Sequence, residues 1–228
     1  MIRSFVPFGK ISMILSLLFE NPLLFFALVI GIVAALAVHE FSHALAAHTL
    51  GDPTAERAGR LTLNPLNHLD PIGFLMLLVA GFGYAKPVPY NPLYLRDRVM
   101  GPVLIGLAGP ASNVVFAIIS VLVLKAVGPA LGNGNLLTQF LYMVSFININ
   151  LAIFNFIPIP PLDGSKVLFA VLSGPQWNRL RFSLETQGPF VLLMLIIADS
   201  ILGTHIFSHI LGFFGDAFFR LMGMPGAY

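Results

Sequence analysis

The 228 residues are 57% hydrophobic and only 10% charged, with 21 phenylalanines and a mean hydropathy of +0.88. That composition excludes an ordinary soluble domain and describes one membrane-embedded domain, 1–228, with no polar block long enough for a separate soluble module. A net charge of +2 from scattered basic residues argues against a nucleic-acid partner, and the lack of cysteine leaves His, Asp and Glu to hold any metal.

Arg3 and Lys10 precede a short apolar run without a small-residue cleavage site, so Met1–Leu18 reads as a retained interfacial segment or partial span. Asn21 and Pro22 supply an N-cap and a first helical residue, and Gly51 a terminator. The enclosed helix, 22–50, is about 42 Å long, more than the ~30 Å of a hydrocarbon layer. Near its far end it carries His39, Glu40, Phe41, Ser42 and His43. Ionisable groups at mid-membrane cost roughly 2.5 to 3.5 kcal/mol each, so three of them within five positions mark function. Positions i and i+4 lie nearly above one another on a helix, which aims both imidazoles at one point. Two imidazoles so placed can bind one zinc ion per chain (Zn2+), and Glu40, on the neighbouring part of the face, can take a proton from water activated by the metal.

The polar stretch from Gly51 to Pro71 contains Arg60–Pro65, which alternates as an edge strand would, and is assigned a β-strand or hairpin at the membrane surface. His68 in this stretch reads as a surface imidazole, and Asp52-Pro53 and Asp70-Pro71 as turns. Ile72–Ala85 is apolar but too short to cross and is interrupted by Gly81 and Gly83, so a re-entrant or interfacial helix is expected.

A second core helix is predicted over 101–127. Inside it, Gly109-Pro-Ala-Ser-Asn113 serves either close helix packing or the site itself. Gly128–Asn135 reads as a glycine-rich turn, and a third core helix, 136–157, is rich in amides: Gln139, Asn148, Asn150 and Asn155. Prolines at 158, 160 and 161 then forbid a regular helix, so this backbone must be buried in protein or face a water-filled cavity. Asp163 opens a helix over 163–173. Its carboxylate can cap that helix, yet it is also the best available third ligand beside His39 and His43. Trp177, Arg179 and Arg181 read as interfacial anchors before C-terminal helices over 189–222. His205 and His209 repeat the i, i+4 spacing, but Ile206 stands where a base would be, so the pair is read as packing or interfacial.

The fold class is thus an all-α polytopic membrane protein: a three-helix catalytic core plus peripheral helices, with a small β-strand or hairpin element. Its motifs, His39-Glu40-x-x-His43, Gly109-Pro-x-x-Asn113 and Asn155-x-x-Pro-x-Pro-x-Leu-Asp-Gly164, in that order and in membrane helices, resemble those of the site-2 proteases, zinc-dependent intramembrane metalloproteases. The resemblance covers most of the chain and is to the compact type without PDZ or CBS domains. It implies zinc on His39, His43 and Asp163, Glu40 as general base, and Asn155 as a hydrogen-bond donor to the substrate or the developing oxyanion. The partners expected are the lipid bilayer and a transmembrane protein or peptide; because a substrate helix hides its carbonyls it must unwind, and strand addition to the Arg60–Asn64 edge is the pairing expected on physical grounds. A divalent-metal transporter is the alternative, against which stands the clustering of the ionisable groups at one point. If the three core helices each cross once, eight basic residues (Arg57, Arg60, Lys86, Arg96, Arg98, Lys166, Arg179, Arg181) lie on one side and three (Arg3, Lys10, Lys125) on the other. That bias puts the first set in the cytoplasm and the site nearer the cytoplasmic face of the cell membrane.

Overall fold

The computed structural model describes residues 13–80 and 83–224. The expectations for residues 1–12 and for Gly81 lie outside the described residues. In chain order the helices are α1 (Met13–Glu20), α2 (Pro22–Thr49), α3 (Thr54–Arg57), α4 (Pro71–Ala80), α5 (Met100–Leu131), α6 (Leu136–Asn155), α7 (Gly164–Val171), α8 (Asn178–Leu202) and α9 (Ile206–Leu221). Among the described residues four segments are long and apolar enough to cross a membrane: Pro22–Thr49, Met100–Leu131, Leu136–Asn155 and Pro175–Leu202. The protein is an integral membrane protein, all-α in class.

α2 starts where its cap dictates: Asn21 Oδ1 accepts the Leu24 amide at 3.1 Å, and Pro22 fills a first-turn position that has no hydrogen bond to lose. Along it Ala27, Gly31, Ala35, His39, His43 and Ala47 recur every four residues, and all are buried. Residues so spaced form one stripe on a helix. A Cβ at Gly31 would lie 3.3 Å from Val144 Cγ2 and 3.4 Å from Ile147 Cδ1, so small residues on this stripe set the approach of α6. The two histidines therefore sit on the surface that packs α2 into the bundle. α2, α5 and α6 form the central three-helix core, and α9 closes it by placing Phe219 against Ala117, Val121 and Ile149.

Two elements run through residues expected to break them. α5 continues past Gly128 and Pro129 and ends at Gly132, whose φ of +76° a glycine adopts freely. α8 begins at Asn178, not near 189, and passes through Gly188 and Pro189. A Cβ on Gly188 would lie 2.9 Å from Pro160, so this glycine is where α8 meets the proline-rich loop.

The Arg60–Asn64 edge strand is not formed. Among the described residues there is no strand, and the extended pairing is the isolated antiparallel bridge Leu69–Ala85. Local polar groups take the place of a ladder: Thr62 Oγ1 accepts the Asn64 amide at 3.1 Å, Asn64 Oδ1 accepts the Leu66 amide at 3.1 Å, and the Arg60 guanidinium turns inward to the Lys86 carbonyl. His68 is not a surface imidazole. It is fully buried, with Nε2 2.7 Å from the Thr62 carbonyl, and so helps hold the same irregular loop. His209 Nδ1 lies 2.6 Å from the His205 backbone carbonyl, at the start of α9.

Asp52 ties the end of α2 to the segment leading into α5. Its carboxylate, fully buried, accepts the Thr54 amide (2.9 Å), the Thr54 hydroxyl (2.5 Å) and the Asn91 amide (2.6 Å). Burial alone would push its pKa up, but these hydrogen bonds and the Arg57 charge outweigh burial and leave it below the ordinary 3.8. A depressed folded-state pKa means the contribution is present above 3.8 and is lost as pH falls through the folded value. Asp52→Ala should therefore lower stability by roughly 1.5 to 3 kcal/mol near neutral pH. Unfolding in detergent at pH 7 and again well below pH 3.8 should show the gap between the two proteins narrowing in acid.

Candidate metal centre

His39 and His43 project from α2 one turn apart, with ring centroids 4.6 Å apart and an interplanar angle of 86°. Their Nε2 atoms are 3.0 Å from each other. Asp163 reaches the same point from another element, its Oδ2 lying 3.1 Å from His39 Nε2 and 3.2 Å from His43 Nε2. Although Asp163 occupies the N-cap position of α7, its side chain makes no capping hydrogen bond. The carboxylate is turned to the histidines.

The far side of each ring decides what these atoms can do. His43 Nδ1 lies 2.6 Å from the Ile105 carbonyl, which can only accept, so in the neutral ring the proton is on Nδ1 and Nε2 is a bare lone pair. His39 Nδ1 faces Asn113 Oδ1 at 2.6 Å, with the same consequence. Two bare nitrogens and a carboxylate oxygen thus face one another, and the buried Asp163 Oδ2 has no hydrogen-bond donor. Three electron-pair donors at such distances repel unless a cation lies among them. The donor set fits zinc, which takes imidazole nitrogens and carboxylate oxygen in tetrahedral sites and keeps its fourth position open where it is catalytic. His39, His43 and Asp163 are the residues that could hold it.

α5 makes room for this arrangement. A Cβ on Gly109 would lie 2.5 Å from His43 Nε2 and 2.7 Å from His39 Cε1, so only glycine lets the helix backbone rest on both rings. A Cβ on Gly106, one turn earlier, would meet the Asp163 carbonyl at 3.2 Å and Lys166 Cγ at 2.8 Å. Pro110 has no N–H for the Gly106 carbonyl and crowds that turn, the one from which the Ile105 carbonyl reaches His43. The Gly109–Asn113 motif therefore serves both packing and the site. Glu40, next to His39 on α2, is buried, 8% exposed.

Asn155 bonds within α6. It is half-buried, and its Nδ2 donates to the Leu151 carbonyl of its own helix at 3.0 Å. Nothing in the sequence points to the parts played by Ile105 and Gly106, whereas Asn113 belongs to a motif tied to packing or the site and Asn148 is one of several amides in its helix. For the last two there was a signal, an amide inside an apolar helix.

Comparison with known proteins gives the family. The profile described as peptidase family M50 matches residues 126–197, the stretch that contains Asn155 and Asp163. YwhC of Bacillus subtilis (strain 168), named as a candidate zinc metalloprotease, is 36% identical over 202 residues, covering 85% of this chain and 90% of its own. The chain belongs to peptidase family M50, the site-2 proteases. Two more distant relatives of this M50 chain carry the same description. Rip2 of Mycolicibacterium smegmatis is 30% identical over 78% of this chain and 69% of its own, and MJ0611 of Methanocaldococcus jannaschii is 32% identical over 67% and 74%. No solved structure gives a significant match.

Gly109→Ala should lower zinc content at least tenfold at a fixed free-zinc concentration, since the added methyl group occupies the space of the ligand atoms. Gly128→Ala, whose Cβ would meet only Leu124 Cδ1 at 3.9 Å on the same helix, should retain the wild-type content. Metal analysis of the two purified variants makes the comparison.

Proposed function

We propose that this protein is a zinc-dependent intramembrane endopeptidase, which hydrolyses peptide bonds of transmembrane segments using His39, His43 and Asp163 as zinc ligands and Glu40 as general base. The observation that carries the reading is the convergence of two unprotonated imidazole nitrogens and one carboxylate oxygen within the packed face of an apolar helix. Zinc, when bound there, supplies Lewis acidity for the scissile carbonyl and lowers the pKa of water toward neutrality.

The chain's own residues do the rest. Glu40, adjacent to His39 and outside the ligand set, takes the proton of the attacking water and returns it to the leaving amine. Asn155 donates to the developing oxyanion after exchanging its bond to the Leu151 carbonyl for one to the substrate. A substrate helix hides its carbonyls in its own hydrogen bonds, so it must unwind locally before it can be attacked. The excess of basic residues in the segments that follow α2 and α6, through the first turn of α8, orients the site toward the cytoplasmic face of the cell membrane.

The test is cleavage of a single-span reporter peptide by purified protein, with bound zinc measured in the same samples. Glu40→Gln should keep the metal and lose about 10²- to 10⁴-fold in turnover. Asn155→Ala should keep the metal and lose roughly 10²- to 10³-fold in kcat. Wild-type cleavage rates in Glu40→Gln would remove Glu40 from the mechanism.

A further inference from the structure

The orientation of the Asn113 amide can be worked out from a hydrogen-bond chain that begins on a helix supplying no ligand. Asn148 of α6 is fully buried, with Nδ2 2.8 Å from the Val144 carbonyl. A carbonyl only accepts, so this nitrogen is the donor and Asn148 Oδ1 points the other way, 2.7 Å from Asn113 Nδ2. Asn113 Nδ2 also lies 3.2 Å from the Ala35 carbonyl of α2. With its nitrogen committed as donor on both counts, fully buried Asn113 has only its oxygen to turn toward His39 Nδ1, 2.6 Å away. Reversing either amide would set acceptor against acceptor in a dry interior, at the Val144 carbonyl for Asn148 and at the Ala35 carbonyl for Asn113, which costs more than the bond is worth. The direction of every proton in the chain is thereby fixed from the Val144 carbonyl to the His39 ring.

We propose that Asn113 and Asn148 are positioning residues of the metal centre, a buried amide relay anchored on backbone carbonyls of α2 and α6 that holds His39 with its proton on Nδ1 and Nε2 free for the metal. This rests on the reading of His39, His43 and Asp163 as the ligand set. The two ligand rings are fixed by different means: His43 directly by the Ile105 carbonyl of α5, and His39 through two side chains. α6 is thereby coupled to the metal site without touching it. Asn113→Asp keeps an oxygen toward His39 while losing the donor side of the amide, and so separates ring orientation from the rest of the relay.

The experiment combines zinc affinity with ¹⁵N NMR of the histidine rings in metal-free protein, which reports the nitrogen that carries the proton. Wild type should show His39 protonated on Nδ1. Asn113→Leu and Asn148→Leu should weaken zinc about 10- to 100-fold and allow the His39 proton to move to Nε2, while Asn113→Asp keeps the Nδ1 proton and recovers most of the affinity. Ser145→Ala, which removes another fully buried polar group of α6 bonded only to its own helix, should change neither reading. Wild-type affinity and an unchanged ring in folded Asn148→Leu would overturn the proposal. So would a metal-free wild type with the His39 proton on Nε2, a result that stands even if the variants do not fold. Failure of wild type to bind zinc would instead overturn the ligand assignment, and the ring spectra would still decide the relay.

Discussion

Two imidazole nitrogens and a carboxylate oxygen, each about 3 Å from the others, cannot be left facing one another in a dry interior without a cation. Most of what is unusual in this chain follows from holding those atoms together. The Nδ1 contacts put both ring protons on the far side. The N-cap residue of α7 forgoes its capping bond. Gly106 and Gly109 clear the surface of α5, so that its backbone can rest against the rings and against the segment that carries Asp163.

The histidines achieve this placement by joining a packing stripe. Between apolar helices in lipid the driving force is close contact of small residues, and α2 supplies it with Ala27, Gly31, Ala35 and Ala47 at four-residue spacing. His39 and His43 continue the same spacing, so the packing that assembles the core also buries the ligands. Hydrogen bonds between membrane helices contribute on the order of 0.6 kcal/mol each to stability. The relay through Asn113 and Asn148 is accordingly a weak fastener for the bundle, and its consequence lies in the proton it fixes on His39.

Features of short range were legible in the sequence. The His39–His43 spacing needs only helical periodicity, the start of α2 only Asn21 and Pro22, and the choice of Asp163 only the chemistry of a third ligand beside a broken helix. What escaped the sequence depends on distant neighbours. Alternation over Arg60–Asn64 looks like a strand because nothing local reveals that Arg60 turns to the Lys86 carbonyl, or that His68 is drawn inward to Thr62. Gly128-Pro129 and Gly188-Pro189 look like breaks, yet helices that cross a membrane carry glycine and proline more often than soluble ones, and Gly188 is where α8 meets Pro160. Asn148 is one amide among four in α6, and its role emerges only when three helices are brought together.

The central claim, that the three donors form one metal site, is tested most directly by X-ray absorption at the zinc edge on the zinc-loaded protein. The account predicts one zinc per chain with two imidazole nitrogens at about 2.0 to 2.1 Å and carboxylate oxygen at about 2.0 to 2.2 Å. Stoichiometric zinc without imidazole scattering, or with a single imidazole, would contradict it.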